Sequence, residues 1–93
     1  MAKSEDQIRR EIKSIIRRIP PEELVIGITS EPPERLPRKG VDPNEAYIAR
    51  ANTSAVARRL EQEFLDKGMG GGPGGGTPDS VYVYIHRKKR KTR

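Results

Sequence analysis

A glycine-rich segment, GMGGGPGGGTPDS at residues 68–80, lies between a helix pattern and the last strand pattern of the chain. It holds seven of the nine glycines, and only thirteen residues follow it. Such a composition is typical of a linker between domains, but VYVYI at residues 81–85 is too short to be stable alone. We therefore expect this last strand to return to a sheet formed by the preceding residues.

Three interpretations of this segment imply different functions. Gly70, Gly72 and Gly75 match the G-x-G-x-x-G spacing of dinucleotide-binding loops, but those loops follow a strand and open a helix, the reverse of the order here. A disordered tether also fits the composition. We favour a tight turn with a mobile tip, because glycine permits positive φ and close backbone approach. The exposed amides of such a turn could also contact a phosphate backbone.

The first predicted element is an amphipathic helix. Ser4 and Gln7 have the spacing of a capping box, and Pro20 and Pro21 end the pattern. Between them, apolar residues recur at helical spacing on one face: Ile8, Ile12, Ile15, Ile16 and Ile19. We expect this face to pack on the sheet, with an arginine-rich face opposite.

Two strands and a second helix follow. Apolar alternation predicts strands at LVIGIT (24–29) and AYIARA (46–51), with at most one short helical turn in the proline-rich segment between them. The residues NTSAVARRLEQEFLDKG (52–68) have the caps and the periodicity of a helix. The predicted fold is α+β, a small three-stranded sheet with two helices in the order helix–strand–strand–helix–strand. Residues 1–86 are expected to form this single domain.

The positive charge is concentrated at the end of the sequence. The chain has 19 lysines and arginines against 13 acidic residues, a formal net charge of +6. Without the cations after residue 86, the rest of the chain is formally neutral. These six cations are Arg87, Lys88, Lys89, Arg90, Lys91 and Arg93. We expect residues 87–93 to be a disordered basic tail that either solubilises the chain or binds nucleic acid. The arginine-rich face of the first helix has the same two interpretations.

Composition excludes several classes of site. The absence of cysteine rules out disulfides, thiolate metal sites and thiol catalysis, and the single histidine, His86, cannot form a metal cluster alone. We expect no cofactor. No apolar run approaches the ~20 residues of a membrane helix, and MAKSEDQIRR lacks the apolar core of a signal peptide. A cytoplasmic protein with no membrane partner is therefore expected.

Two tyrosines of the last strand are candidates for contact with bases. Tyr82 and Tyr84 share a strand face with His86. If no helix covers this face, the two rings form a platform on which unpaired bases can stack. If a helix covers it, the tyrosines only seal the edge of the core.

The segment VIGITSEPPERL resembles the second signature of the GIY-YIG endonucleases, in which a strand glycine is followed at this spacing by a catalytic arginine. Gly27 and Arg35 occupy these positions, and SAVARRLEQEF resembles the helix that carries the metal-binding glutamate, here Glu61. The resemblance implies a nuclease in which Arg35 stabilises the phosphate and Glu61 holds Mg²⁺. However, Val25 stands at the tyrosine position of this signature, and the isoleucine helix occupies the place of the preceding strand.

Residues 24–85 also resemble a widespread family of small uncharacterised proteins that end in a glycine-rich turn and a tyrosine-rich strand. Because the tyrosine pair of the nucleases is missing, we expect a non-enzymatic nucleic-acid-binding domain. It would use the basic tail, the arginines of the first helix and exposed tyrosines. The alternatives are a GIY-YIG-like metal-dependent endonuclease, and a protein-interaction module that binds a partner protein or forms a homodimer through an exposed sheet edge.

Overall fold

The computed structural model describes residues 2–71 and 79–88. Within these residues the chain forms three helices and one three-stranded antiparallel sheet. The elements are α1 (Glu5–Ile16), β1 (Leu24–Thr29), α2 (Pro32–Arg38), β2 (Tyr47–Arg50), α3 (Ser54–Asp66) and β3 (Tyr82–Arg87). The predicted α+β class is confirmed, and α2 is a short helix where the sequence predicted at most one turn.

The last strand is the central strand of the sheet. The strand order is β1-β3-β2, and β3 is antiparallel to both neighbours. Tyr84 lies opposite Gly27 on one side and opposite Ile48 on the other. The predicted return of the last strand to the sheet is therefore confirmed, and the sheet could not form without it.

Helices α1 and α3 cover one face of the sheet and form the core with it. Six large side chains of the core are each at most 1% exposed: Ile8, Ile12, Ile26, Leu60, Phe64 and Val83. The predicted packing of the isoleucine face of α1 is confirmed. Ile15, Ile16 and Ile19, farther along this face, are only partly buried at the margin of the core.

Hydroxyl side chains cap both long helices. The Ser4 hydroxyl accepts a hydrogen bond from the Gln7 N–H at 3.2 Å, and the Thr53 hydroxyl accepts one from the Val56 N–H at 3.2 Å. The Gln7 side chain donates to Glu11 at 3.3 Å instead of completing a capping box. The first turn of α1 thus begins where the sequence predicted it.

The first glycine of the glycine-rich segment ends α3. Gly68 has a φ of +111°, and its N–H donates to the Leu65 carbonyl at 3.0 Å. The Met69 N–H donates to the Phe64 carbonyl at 3.1 Å, and the Met69 side chain is buried in the core. These bonds form a Schellman motif, which satisfies the last carbonyls of the helix.

The next two glycines run along the outer edge of β1. The Gly70 N–H donates to the Leu24 carbonyl at 2.8 Å, and the Ile26 N–H donates to the Gly70 carbonyl at 2.9 Å. Gly71 has a φ of +134° and lies so close to the Ile26 carbonyl that a side chain would collide with it. Residues 68–71 therefore have a specific backbone conformation, while residues 72–78, through which the favoured turn would continue, lie outside the described residues.

The second face of the sheet is covered by α2 and the residues that follow it. Tyr84 is on this face and is only 2% exposed. The Lys39 ammonium donates to the Tyr84 hydroxyl at 3.1 Å and lies 4.9 Å from the centre of its ring. Leu36 of α2 is fully buried outside the main core. The proline-rich segment thus has a structural role, since it closes the face opposite α1 and α3.

The strand β3 extends beyond the boundary predicted at residue 86. Arg87 pairs with Leu24, and the Lys88 N–H donates to the Glu23 carbonyl at 2.9 Å. Residues 89–93 lie outside the described residues. None of the helices in the described ranges combines the length and the apolar character needed to cross a membrane.

Candidate nucleic-acid interface

The cations near the start of α1 are paired with carboxylates. Arg9 contacts Glu5, Asp6 and Glu63, each at 2.9 Å. Arg59 also bonds Glu5 at 2.9 Å. The hydrogen bond from Arg59 is the main cause that lowers the pKa of Glu5 below its usual value, with Arg9 adding to the effect. This end of the helix therefore carries little uncompensated charge.

Glu11 belongs to the same compensated network. Its carboxylate accepts a hydrogen bond from the Tyr47 hydroxyl at 2.7 Å and pairs with the Lys3 ammonium at 2.9 Å. These contacts lower the pKa of Glu11, with the Tyr47 bond as the largest cause. Burial, and then the bond to Glu11, raises the pKa of Tyr47. The tyrosine therefore stays protonated, and its hydroxyl remains a donor.

From Arg10 onward, α1 and the turn after it present cations that form no ion pair with other described residues. Four exposed side chains of this region take part in no ion pair within residues 2–71 and 79–88: Arg10, Lys13, Arg17 and Arg18. Lys13 lies in the last turn of α1 and Arg17 and Arg18 directly follow it, where the negative end of the helix dipole favours cations. We call these four residues the α1 cation cluster.

A groove, here the α1 groove, runs between α1 and the β2 edge of the sheet. It consists of three adjoining depressions that share lining residues. Arg10 of α1 and Arg18 of the turn that follows it line two of the depressions, and Ser14 lines both. Tyr47 lines two of the three depressions, and Ile15 and Ile19 also line two.

The far end of the groove reaches the end of β3. Arg87 lines this depression together with Glu45, so one acidic side chain faces the groove there. Arg87 and Lys88 are both exposed and lead into the remaining basic residues of the sequence. These residues lie outside the described part of the chain: Lys89, Arg90, Lys91 and Arg93. Arg87, the first residue of the basic tail, therefore lines one end of the α1 groove.

The structure does not support an open stacking platform at Tyr82 and Tyr84. Tyr84 is buried beneath Lys39, and its ring is parallel to that of His86, with 6.1 Å between ring centres. Tyr82 is half-buried and lines a depression of about 420 Å³ with Pro32 and neighbouring α2 residues. Of the two alternatives stated for this face, the covered one is therefore found, and Tyr84 is not available as an exposed contact for bases.

The structure does not bring the two candidate nuclease residues together. Arg35 is exposed on α2, which covers the Tyr84 face of the sheet. Glu61 is buried on α3, which packs on the opposite face, and burial raises the pKa of its carboxyl while Arg58 partly opposes this. Among the described residues, no group of three or more acidic or histidine side chains is placed to hold a metal ion.

Comparison of the chain with protein-family models, curated proteins and solved structures finds no match. The two resemblances noted in the sequence therefore rest on its short motifs alone.

Tyr47 is not among the site residues selected from the sequence, because the local pattern predicts a strand at residues 46–51 without showing which face of that strand is accessible. No local signal singles out Tyr47, because the sequence predicts strands of similar length at residues 24–29, 46–51 and 81–85 and does not show which of them lies at an edge of the sheet. Its link to Glu11, 36 residues away, required the fold.

Proposed function

We propose that this chain is a small non-enzymatic nucleic-acid-binding domain. The α1 cation cluster and the basic tail would contact phosphates, and the sheet and α3 would hold α1 in place. The observation that carries the proposal is the contrast along α1, where Arg9 has three carboxylate partners and the four cations of the cluster have none among residues 2–71 and 79–88.

Binding to a polyanion costs less free energy for surface cations without ion-pair partners than for cations already bonded to carboxylates. A phosphate backbone holds condensed counterions, and each cation that neutralises a phosphate releases them. Cations already bonded to carboxylates, as Arg9 is, must first lose those bonds. Among the described residues the α1 cation cluster has no ion pair to lose on binding, so its charges are available at little energetic cost.

The proposed mode of binding is independent of base sequence. Contacts to phosphates position a nucleic acid but do not read its bases. The proposal therefore includes moderate affinity and strong salt dependence.

The test compares two variants of equal net charge. In the first, Arg10, Arg17 and Arg18 of the cluster are replaced by glutamine. In the matched control, three exposed arginines from elsewhere are replaced in the same way: Arg35, Arg38 and Arg50. We expect the first variant to lower the slope of log affinity against log salt on duplex DNA by about 2 to 3, and the control to change it by less than 1.

Two results would contradict the proposal. Equal losses in the two variants would show that only net charge matters and that α1 is not an interface. Failure of the full chain to bind any nucleic acid at low salt would show that the proposed function is wrong. In that case the cation cluster would only stabilise the carboxyl end of the helix.

A further inference from the structure

The α1 groove contains an aromatic side chain in addition to its cations. Tyr47 lies where two of the depressions adjoin, and its ring is half-buried. Its hydroxyl is held by Glu11 at 2.7 Å, and Glu11 is held by Lys3 at 2.9 Å. The ring is therefore fixed before any ligand arrives, so little conformational entropy remains to be lost when a ligand packs against it.

The groove also has apolar lining beside the tyrosine. Ile15 and Ile19 are only partly buried and line the depressions next to Arg18. A surface that combines cations, an aromatic ring and apolar side chains suits a ligand with both phosphates and exposed flat rings. A duplex keeps its bases stacked inside, so it can use the cations but not the ring.

The acidic side chains that face the groove do not prevent this use. The charge of Glu11 is compensated by Lys3, and its carboxylate is bonded to Tyr47. Glu45 lines only the depression at the far end, where Arg87 is also present. Arg10 and Arg18 line the other two depressions and have no carboxylate partner within the described residues. The two depressions lined by Arg10 and Arg18 are thus the most cationic part of the groove.

From this arrangement we infer that the α1 groove binds single-stranded nucleic acid, with one base packed against Tyr47 and the flanking phosphates at Arg10 and Arg18. The inference rests on the proposed function and adds the substrate class. It also replaces Tyr84, which is buried, with Tyr47 as the aromatic contact.

The experiment measures the affinity of the full chain for a single-stranded oligonucleotide and for a duplex of the same length, at the same salt. Tyr47→Leu should weaken binding of the single strand by at least about fivefold, as expected when one stacked base is lost. Its effect on the duplex should be less than about twofold. Tyr47→Phe keeps the ring and should leave single-strand affinity within about twofold. Tyr82→Leu, which alters a half-buried tyrosine away from the groove, is the matched control and should change neither affinity.

A second measurement uses the unaltered protein, so it does not depend on the folding of a variant. On titration with oligo-dT, the NMR signals of Ile15, Ile19 and Tyr47 should shift through the ring currents of the bound base. The duplex should shift signals of the arginines of the cluster but leave the isoleucine methyl signals in place. A polyglutamate peptide, as a polyanion without bases, should also leave them in place.

The outcomes separate this inference from the proposed function. If both nucleic acids bind with salt dependence but Tyr47→Leu has no effect on the single strand, the groove inference is wrong and the proposed function stands. Equal weakening of both ligands by Tyr47→Leu, or identical methyl shifts with polyglutamate, would also overturn it. If neither nucleic acid binds, both the groove inference and the proposed function are wrong.

Discussion

The ring of Tyr84 lies directly against the backbone of Gly27, its partner across the β1–β3 ladder. A β-carbon at residue 27 would overlap the hydroxyl and the adjoining ring carbon of Tyr84. The φ of Gly27 is not positive, so its backbone conformation is open to any residue. The glycine is therefore required by side-chain packing and not by backbone geometry.

Gly27→Ala should destabilise the protein because Tyr84 cannot move away freely. Its ring is packed beneath Lys39 and beside His86. Overpacking of this kind costs about 1–3 kcal/mol. Urea denaturation monitored by circular dichroism would measure the change in the free energy of unfolding.

The double variant Gly27→Ala/Tyr84→Leu gives the control for this prediction. The branched side chain of leucine is shorter, so the alanine should cost much less in its presence than in the natural background. If the alanine costs the same in both backgrounds, the contact with the Tyr84 ring is not the reason for the glycine.

The role of Gly27 could not be predicted from the sequence alone. The same glycine supported the resemblance to the GIY-YIG signature, together with Arg35 eight residues later. The structure gives the glycine a packing explanation that could not be derived from the sequence, because the register that pairs residues 27 and 84 joins distant parts of the chain. Local patterns, by contrast, located all three strands, since strand alternation and helix caps depend on neighbouring residues.

The contribution of Glu61 to the stability of the protein should change with pH in the opposite direction to that of most carboxylates. Burial raises the pKa of Glu61 in the folded state above its unfolded value. The folded state is then favoured below the unfolded pKa, and this advantage is lost as the pH rises through the folded pKa. Glu61→Gln cannot ionise, so it should be more stable than the natural protein at neutral pH, with the difference shrinking in acid.

Glu63→Gln is a matched control on the same helix. Glu63 is paired with Arg9 at 2.9 Å, so this substitution removes a favourable contact and should lower the free energy of unfolding at neutral pH. Urea midpoints for both variants at neutral and acidic pH give the comparison. A lower stability of Glu61→Gln at neutral pH would mean that the carboxylate is stabilised by its surroundings.

Tyr47→Phe tests the link between β2 and α1. It removes the hydrogen bond to Glu11 and should cost about 1 kcal/mol at neutral pH, because the carboxylate is only partly buried. The bond lowers the pKa of Glu11, so its contribution is present above the unfolded pKa and is lost as the pH falls through the folded pKa. The difference in unfolding free energy between variant and natural protein should therefore shrink at acidic pH. An equal difference at both pH values would contradict this account.

The candidate site could be predicted only in part. The excess of cations on the first helix and at the end of the chain is a property of the sequence. Which tyrosine is available is not, because it depends on which sheet face α2 covers. Alternation placed Tyr82 and Tyr84 together correctly on one face, but nothing local showed that Lys39 and Leu36 would close it. Likewise, the pairing of Arg9 with Glu63 across 54 residues removes from the interface an arginine that looks equivalent to Arg10.

The last prediction concerns the basic tail. The deletion that tests the tail starts after Lys88 and not after residue 86, the predicted end of the domain. Arg87 pairs with Leu24 of β1, and the Lys88 N–H donates to the carbonyl of Glu23, the residue before β1. Removing residues 89–93 eliminates four cations. If each neutralises one phosphate, the slope of log affinity against log salt on duplex DNA should fall by about 3 to 4, while the thermal midpoint stays unchanged. A chain in which these four cations are replaced by glutamine controls for length and should behave like the deletion. If neither change alters the slope, the tail does not contact phosphates, and any remaining salt dependence must come from the α1 cation cluster, Arg87 and Lys88.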